Sequence, residues 1–389
     1  MAEYFFELLT EEIPAWMHDA AHAALREQLA SFGSLHLTST ARRIVFSISG
    51  LEERLPDRDE EVKGPPRKAA FDAGGNPTKA LEGFLKKNNS SAADVLEGGD
   101  YVRIRRVVAG RAMGEILQQR IPQIIESLRW PKMMRWGAGE HSYIRPIHSV
   151  ISIFDGAHLP IEIFGVKSGT TTTGHRTLAP HKIEVNSYND YVTKLELARV
   201  VIDHDRRKLV MAQRALVLAQ QVHGNVAEDP SIWAQWQYLT EYPGVVRAEF
   251  RSEYLALPDE VLVTVMRVHQ KQLPIRDDRE KLTNSFLAVL DNEGDPEGNA
   301  CYGNSFVTNA RFADAQFFYD VDRKTKLAGR VEQLSRLQFQ AELGNYAEKA
   351  QRIERIARAI GKEIGADDAA PAEAARLCKS DLVTEMVKE

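Results

Sequence analysis

The sequence predicts an α+β protein: a mixed α/β region over residues 1–320, with a helical stretch at 187–240, and a helical region over 321–389. Three observations carry this expectation. Short apolar runs that read as strands are interleaved with segments of helical periodicity as far as Leu290. An acidic, glycine-bearing stretch at Asp291–Asn304 interrupts the pattern. From Ser305 onward only helical spacing remains.

Taken in order, Glu3–Leu9 (EYFFELL) is a buried strand. Thr10 caps the following helix, and Pro14 suits its first turn. Met17, Ala21, Ala24, Gln28 and Phe32 share one face, Leu25 and Leu29 flank it, and Gly33 ends it. Arg42–Ile48 is a second strand with Ile44, Phe46 and Ile48 inward. Residues 55–77 hold charge, Gly and Pro and read as a loop. Thr78 starts a short helix carrying Leu81, Phe84 and Leu85. Tyr101–Val108 is a strand and Ala112–Leu128 a helix. His148–Phe154 and Ile161–Val166 form a hairpin through Asp155-Gly156. Between Ser187 and Gly224, Leu209, Ala212, Leu216 and Ala219 define a helix face. Leu239–Phe250 and Ser285–Leu290 are strands, and Pro258 opens a helix bearing Leu262, Val265, Met266 and His269. Amphipathic helices follow at Phe339–Ile364 and Pro371–Lys388.

A chain of 389 residues is long enough for two or three domains. No apolar run approaches the ~18 residues of a membrane span, and no secretory signal is present. The two cysteines, Cys301 and Cys378, are far apart, which fits neither a disulfide framework nor a zinc site and suits a reducing cytoplasm. The net charge of −5 is unlike a basic nucleic-acid binder but leaves room for a local basic face. Neither a membrane nor DNA is expected as a partner.

The Trp130–Arg145 stretch, WPKMMRWGAGEHSYIR, is the best nucleic-acid candidate. Lys132, Arg135 and Arg145 can neutralise phosphates while Trp130, Trp136 and Tyr143 offer stacking faces. The competing reading makes the tryptophans core and the cations a solvated rim. Gly174–Arg176 (GHR) presents His175 and Arg176 to a ligand, or is a turn whose histidine is satisfied by backbone. His269 and Lys271 complement a helix C-terminus. His204-Asp205 lacks the further donors a divalent site needs. Asp314, Asp320 and Asp322 either gather Mg²⁺ through water or pair with Arg311 and Lys324, leaving Phe312, Phe317 and Phe318 in the core. Glu11 and Glu12 complement a helix dipole, accept a proton, or grip an arginine of a partner. No phosphate-binding loop motif occurs.

The opening FFELLTEEIPA, MRWG at Met134–Gly137, IRPIHSVI at Ile144–Ile151, GHR at Gly174–Arg176, the dense stretches Leu239–Lys271 and Asn304–Lys324, and LCKSDLVTEMV at Leu377–Val387 together resemble the beta subunit of bacterial glycyl-tRNA synthetase over essentially the whole chain. The chain departs from that family at Thr177, where an aromatic commonly follows GHR, and at Gln272-Leu273, where Tyr-Phe is usual. The resemblance implies a cytoplasmic heterotetramer with two alpha subunits, in which alpha binds ATP and Mg²⁺ and activates glycine. This chain would hold no cofactor or catalytic residue and would recognise and position tRNA-Gly. Its expected tRNA contacts are Lys132, Arg135, Trp136, Arg145, His175, Arg176 and Lys271. The resemblance further implies a region similar to the B3/B4 domain of the phenylalanyl-tRNA synthetase beta chain. Near the C-terminus it implies the start of an HD-like domain, to which Asp381 would belong. An anticodon-binding domain is expected beyond Glu389, making this sequence an N-terminal portion. Two alternatives stand beside this expectation: an editing hydrolase of mischarged tRNA using His148, His175 or His269 as base, and a scaffold that binds alpha alone.

Overall fold

The computed structural model describes residues 2–72, 74–96, 98–366 and 369–388. The chain is mixed α/β with helices toward its C-terminal end. It divides into two compact units: one runs to Arg207 and includes Gln237–Tyr242, the other takes Lys208–Trp236 and everything from Pro243.

The first unit contains β1 (Ala2–Thr10), α1 (His18–Leu29), β2 (Ser34–Ser39), β3 (Arg43–Leu51), β4 (Arg58–Pro66), α2 (Arg67–Ala70), α3 (Lys79–Lys87), β5 (Val95–Leu96), β6 (Tyr101–Val108), α4 (Met113–Ser127), β7 (Ile147–Phe154), β8 (Ala157–His158), β9 (Glu162–Ile163), β10 (Val166–Gly169), β11 (Thr171–Thr173), β12 (Lys182–Glu184) and α5 (Tyr188–Leu197). Its main sheet has the order β2-β3-β1-β7-β10-β9, with β8 on β7. Pairing is antiparallel except between β7 and β10. The apolar run of β1 follows from its place between two layers. Tyr4, Phe6 and Leu8 pack with Leu25 and Leu29 of α1 and Leu117 and Ile121 of α4. Phe5, on the opposite face, packs with Val45, Ile151, and Tyr191 and Leu195 of α5. Each large apolar side chain so buried contributes about 1.5–3 kcal/mol. A smaller sheet, β4-β6-β5, covers α3 through Leu81, Leu85, Val102 and Ile104.

Helix α6 (His204–Gln220) begins in the first unit and continues in the second. The second unit then holds β13 (Asn225–Val226), α7 (Pro230–Trp236), β14 (Gly244–Glu249), α8 (Asp259–Thr264), β15 (Leu273–Arg276), β16 (Leu282–Leu290), α9 (Asn299–Arg323), β17 (Gln338–Gln340), β18 (Gly344–Asn345), α10 (Tyr346–Glu363), α11 (Ala369–Leu377) and α12 (Glu385–Lys388). Its sheet runs β13-β15-β16-β14. Met211, Ala215 and Ala219 of α6 pack on one part of it with Trp236 and Leu287. Phe312 of α9 packs on another part with Phe250 and Phe286.

Several expectations are corrected. Residues 55–77 contain strand β4, missed because it is solvated and carries no apolar alternation; cross-strand pairs hold it, Glu60 to Arg106 at 2.8 Å and Glu61 to Arg103 at 3.2 Å. Strand β2 was not anticipated. Asp155-Gly156 does turn the chain, with φ of 48° and 81°, but into the two-residue β8. Ile161–Val166 bends at Phe164-Gly165 and splits into β9 and β10. Leu209 and Leu216 of α6 are exposed; the buried stripe runs Arg207, Met211, Ala215, Ala219, and the arginine within it disguised the face. Phe312 is core, whereas Phe317 is 63% exposed. Short strands β17 and β18 interrupt the region expected to be wholly helical after Ser305.

Candidate functional site

The loop after β1 gathers much of what the sequence singled out. Arg176 Nη1 donates to Glu12 Oε1 at 2.6 Å, and Arg145 Nε donates to the Glu12 carbonyl at 2.8 Å. His148 Nε2 lies 2.7 Å from Glu11 Oε1, and this bond holds the Glu11 carboxyl below its ordinary range. Glu11 and Glu12 thus hold His148 and Arg176 of their own chain and sit in the loop ahead of the first helical turn, Ala15–Met17. Thr10 does not cap that turn; its hydroxyl donates to the Glu11 carbonyl at 2.7 Å.

Beneath this loop lies a fully buried ion network. Arg43 Nη1 donates to Glu7 Oε1 at 2.6 Å and to Thr172 Oγ1 at 2.8 Å. Its Nε donates to Glu241 Oε1 at 2.7 Å, and its Nη2 to the Thr173 carbonyl at 2.7 Å. Tyr191 donates to Glu7 at 2.8 Å and Thr40 to Glu241 at 2.7 Å. Burial opposes the Arg43 charge, but Glu241 and Glu7 outweigh it and raise its pKa. Arg207, also fully buried, donates to the carbonyls of Ser39, Val201, Ile202 and Gln237. Arg43 and Arg207 together explain why Gln237–Tyr242 belongs to the first unit. A third buried cluster joins α1 to β2: Ser39 Oγ lies 3.0 Å from His18 Nδ1 and 2.9 Å from His22 Nε2, and the ring of Tyr238 stacks on His18 at 4.5 Å. Burial, then the neighbouring charge of His22, pushes His18 down to about 3. Burial and His204 push His22 down to about 4.

The Trp130–Arg145 segment divides. Trp130 is 7% exposed and packs edge-on to the fully buried Tyr143, so both are core rather than stacking faces. Trp136 is half-buried against the same core. Lys132 and Arg135 are exposed, with no ion pair among the described residues. His175 is 1% exposed, and its Nδ1 accepts from the backbone of Thr177 at 3.3 Å and Leu178 at 3.2 Å; it is a turn histidine. Lys271 lies in the second unit, in a left-handed conformation (φ 55°) that closes the π-helical turn Val265–Gln270. Its Nζ donates to the Val268 carbonyl at 2.7 Å. The structure therefore brings Arg145, Arg176 and His148 to one loop, keeps Lys132 and Arg135 at the surface, and withdraws His175.

The acidic residues of α9 also separate. Asp322 holds Arg330 at 2.9 Å and accepts from the Glu385 and Met386 amides at 3.0 Å. Asp314 and Asp320 are exposed, and no group of three metal-ligating side chains forms among the described residues. Asp314, Arg311 and His269 line an apolar cleft of about 510 Å³ with Val261, Phe318 and Met386. Among the described residues no helix is long and apolar enough to cross a membrane.

Sequence reasoning missed a second pocket beside the Glu11–Glu12 loop, about 450 Å³ and lined by Arg42, Lys167, Lys182 and the β11 threonines. Its signals were the Arg42-Arg43 pair at a strand start and the run of four threonines, both of which read as ordinary strand.

Taken as a class, the chain falls within a family of aminoacyl-tRNA synthetase subunits, since the family profile described as glycyl-tRNA synthetase beta subunit matches residues 4–389. The chain belongs to the glycyl-tRNA synthetase beta subunit family. It is similar to proteins named glycine–tRNA ligase beta subunit from Geobacter metallireducens (34% identical, covering 100% of this chain and 59% of the relative) and Geotalea daltonii (34%, 100% and 58%). The relative from Pediococcus pentosaceus is also 34% identical, over 99% of this chain and 58% of its own length. The chain thus spans somewhat under three-fifths of the length of these relatives.

Proposed function

We propose that this chain is the tRNA-positioning and assembly part of a glycine–tRNA ligase. Glycine activation with ATP and Mg²⁺ then resides on a separate alpha subunit in a cytoplasmic heterotetramer. The observation that carries the reading is family membership over residues 4–389. Lys132 and Arg135, exposed beside Trp136, are the leading RNA contacts, because solvated cations can release counterions from phosphates. Arg145 and Arg176 act indirectly, by holding the Glu11–Glu12 loop. In this reading the mixed α/β region over 1–320 is the B3/B4-like part, and the helices of 321–389 begin an HD-like part. The role is positional: orienting the acceptor arm lowers a barrier without supplying a reacting group. The test is tRNA-Gly binding by fluorescence anisotropy at two salt concentrations. Lys132→Ala/Arg135→Ala should flatten the log–log salt slope by about 0.7–0.9 per lost phosphate contact. An unchanged slope and affinity would remove these two residues from the interface.

One observation keeps the editing reading in view. His148, half exposed and oriented by Glu11 at 2.7 Å, opens onto a hydroxyl-lined pocket, as a general base would. His148→Ala should then abolish deacylation of mischarged tRNA; equal rates for the variant and the parent protein would end that reading.

A further inference from the structure

The pocket beside the Glu11–Glu12 loop has features that the ligase role does not use. It sits where β7, β10 and β11 meet, and its volume of about 450 Å³ falls within the range of small-molecule sites. Arg42, Lys167 and Lys182 line it, with His148, Ser149 and Thr173 between them. Arg42 is only 9% exposed, yet its Nε has no hydrogen-bond partner and its guanidinium no ion pair among the described residues. Its sequence neighbour Arg43 has two carboxylates. Arg42 lies in the bend just before β3 and Arg43 is the first residue of that strand, so the two arginines meet different surroundings. Glu11 feels the charge of Arg42 but makes no ion-pair contact with it, and a largely buried cation without such a contact gains from an arriving anion. Ser149 Oγ is likewise buried and unpartnered. Lys167 and Lys182 are exposed and make no ion pair among the described residues. The nearby carboxylate, Glu11, is held by His148. The wall opposite is fixed in advance, because Arg43 binds both the Thr172 hydroxyl and the Thr173 carbonyl.

We propose that this pocket is a phosphate site, taking the phosphoryl group of a nucleotide. Three cations and several hydroxyl donors suit a tetrahedral, multiply charged group with many acceptor atoms better than a carboxylate. The planar fork of Arg42 can bind two phosphoryl oxygens at once while the lysines act as point charges. The volume leaves room for a sugar or base beyond the phosphate. The inference does not rest on the tRNA reading, since a free phosphomonoester and an RNA phosphate share this chemistry.

The experiment is calorimetric titration of the whole chain with inorganic phosphate, adenosine 5′-monophosphate and adenosine. Saturable binding of both phosphates and none of adenosine is expected. Lys167→Ala/Lys182→Ala, a change at two exposed positions, should weaken the nucleotide at least tenfold. Arg42→Met should abolish binding where it still folds. A single-stranded RNA is then added as competitor: displacement assigns the phosphate to RNA, and no displacement assigns it to a free phosphomonoester, and both uphold the site. Adenosine binding as tightly as its monophosphate, no saturable phosphate binding, or full binding by the double-lysine variant would each overturn it.

Discussion

Acidification should destabilise the first unit through the histidines between α1 and β2. His18 is fully buried and His22 6% exposed, and their native values are about 3 and about 4 against an ordinary 6.5. In the unfolded chain both take up a proton as pH falls through about 6.5; in the native state they stay neutral until far lower pH. The unfolded state then binds more protons, so stability is full above about pH 6.5 and is lost as pH falls toward 4. Between pH 7 and 5 each histidine costs about 2 kcal/mol, roughly 4 kcal/mol for the pair. Most of the surroundings work in the same direction: Arg207 opposes charge on His18 and Arg26 on His22, against a backbone bond at Ile13 and the charge of Asp19, and His204 is itself lowered by burial. Urea-dependent hydrogen exchange, read on peptides from β1 and β3 at pH 7 and 5, measures this in the first unit alone. The double variant His18→Gln/His22→Gln should lose most of the pH dependence, since an amide can still bond to Ser39 without titrating. Equal stability at the two pH values, or the same slope in the variant, would refute the reasoning.

Other substitutions test the rest of the framework. Arg43→Met leaves Glu7 and Glu241 buried without their cation and should cost about 3–5 kcal/mol, seen as a lowered urea midpoint of the first unit. Gly244→Ala places a Cβ 1.7 Å from the Asn292 carbonyl, so the β14–β16 edge must separate; exchange protection should fall in those two strands. Asp322→Ala removes both the Arg330 ion pair and the acceptor for the Glu385 and Met386 amides, and should expose the C-terminal turn to proteolysis while leaving β1 exchange unchanged. His175→Gln should reduce stability by about 1–3 kcal/mol through its backbone bonds, without altering RNA affinity.

Where burial writes a simple pattern, the sequence announced the segment. β1 was legible as an unbroken apolar run because both its faces are buried, and β6, α4 and the Phe312 face of α9 because burial on one side imposes a period. β4 was not, because charge pairs rather than apolar residues set its register. α6 misled because its buried stripe begins with an arginine satisfied by four carbonyls, a contact that exists only once Ser39 and Gln237 are brought together. The site shows the same division. Residue chemistry pointed to Arg145, Arg176 and His148, and the Glu11–Glu12 loop unites them. Trp130 and Tyr143 were offered as stacking faces, since sequence does not tell a core aromatic from an exposed one when cations flank both. Arg42, Lys167 and Lys182 are far apart in sequence, and several pairings together gather them: β3 on β1, β1 on β7, β7 on β10 and β11 on β12.

The central claim is that this chain grips tRNA through solvated cations. Its most direct test is the affinity of the chain, without any alpha subunit, for tRNA-Gly and for an unrelated tRNA across a salt series. The account predicts tighter binding of tRNA-Gly, a steep loss with salt, and a shallower slope in Lys132→Ala/Arg135→Ala. Binding that is absent at low salt, or that ignores salt altogether, would contradict it.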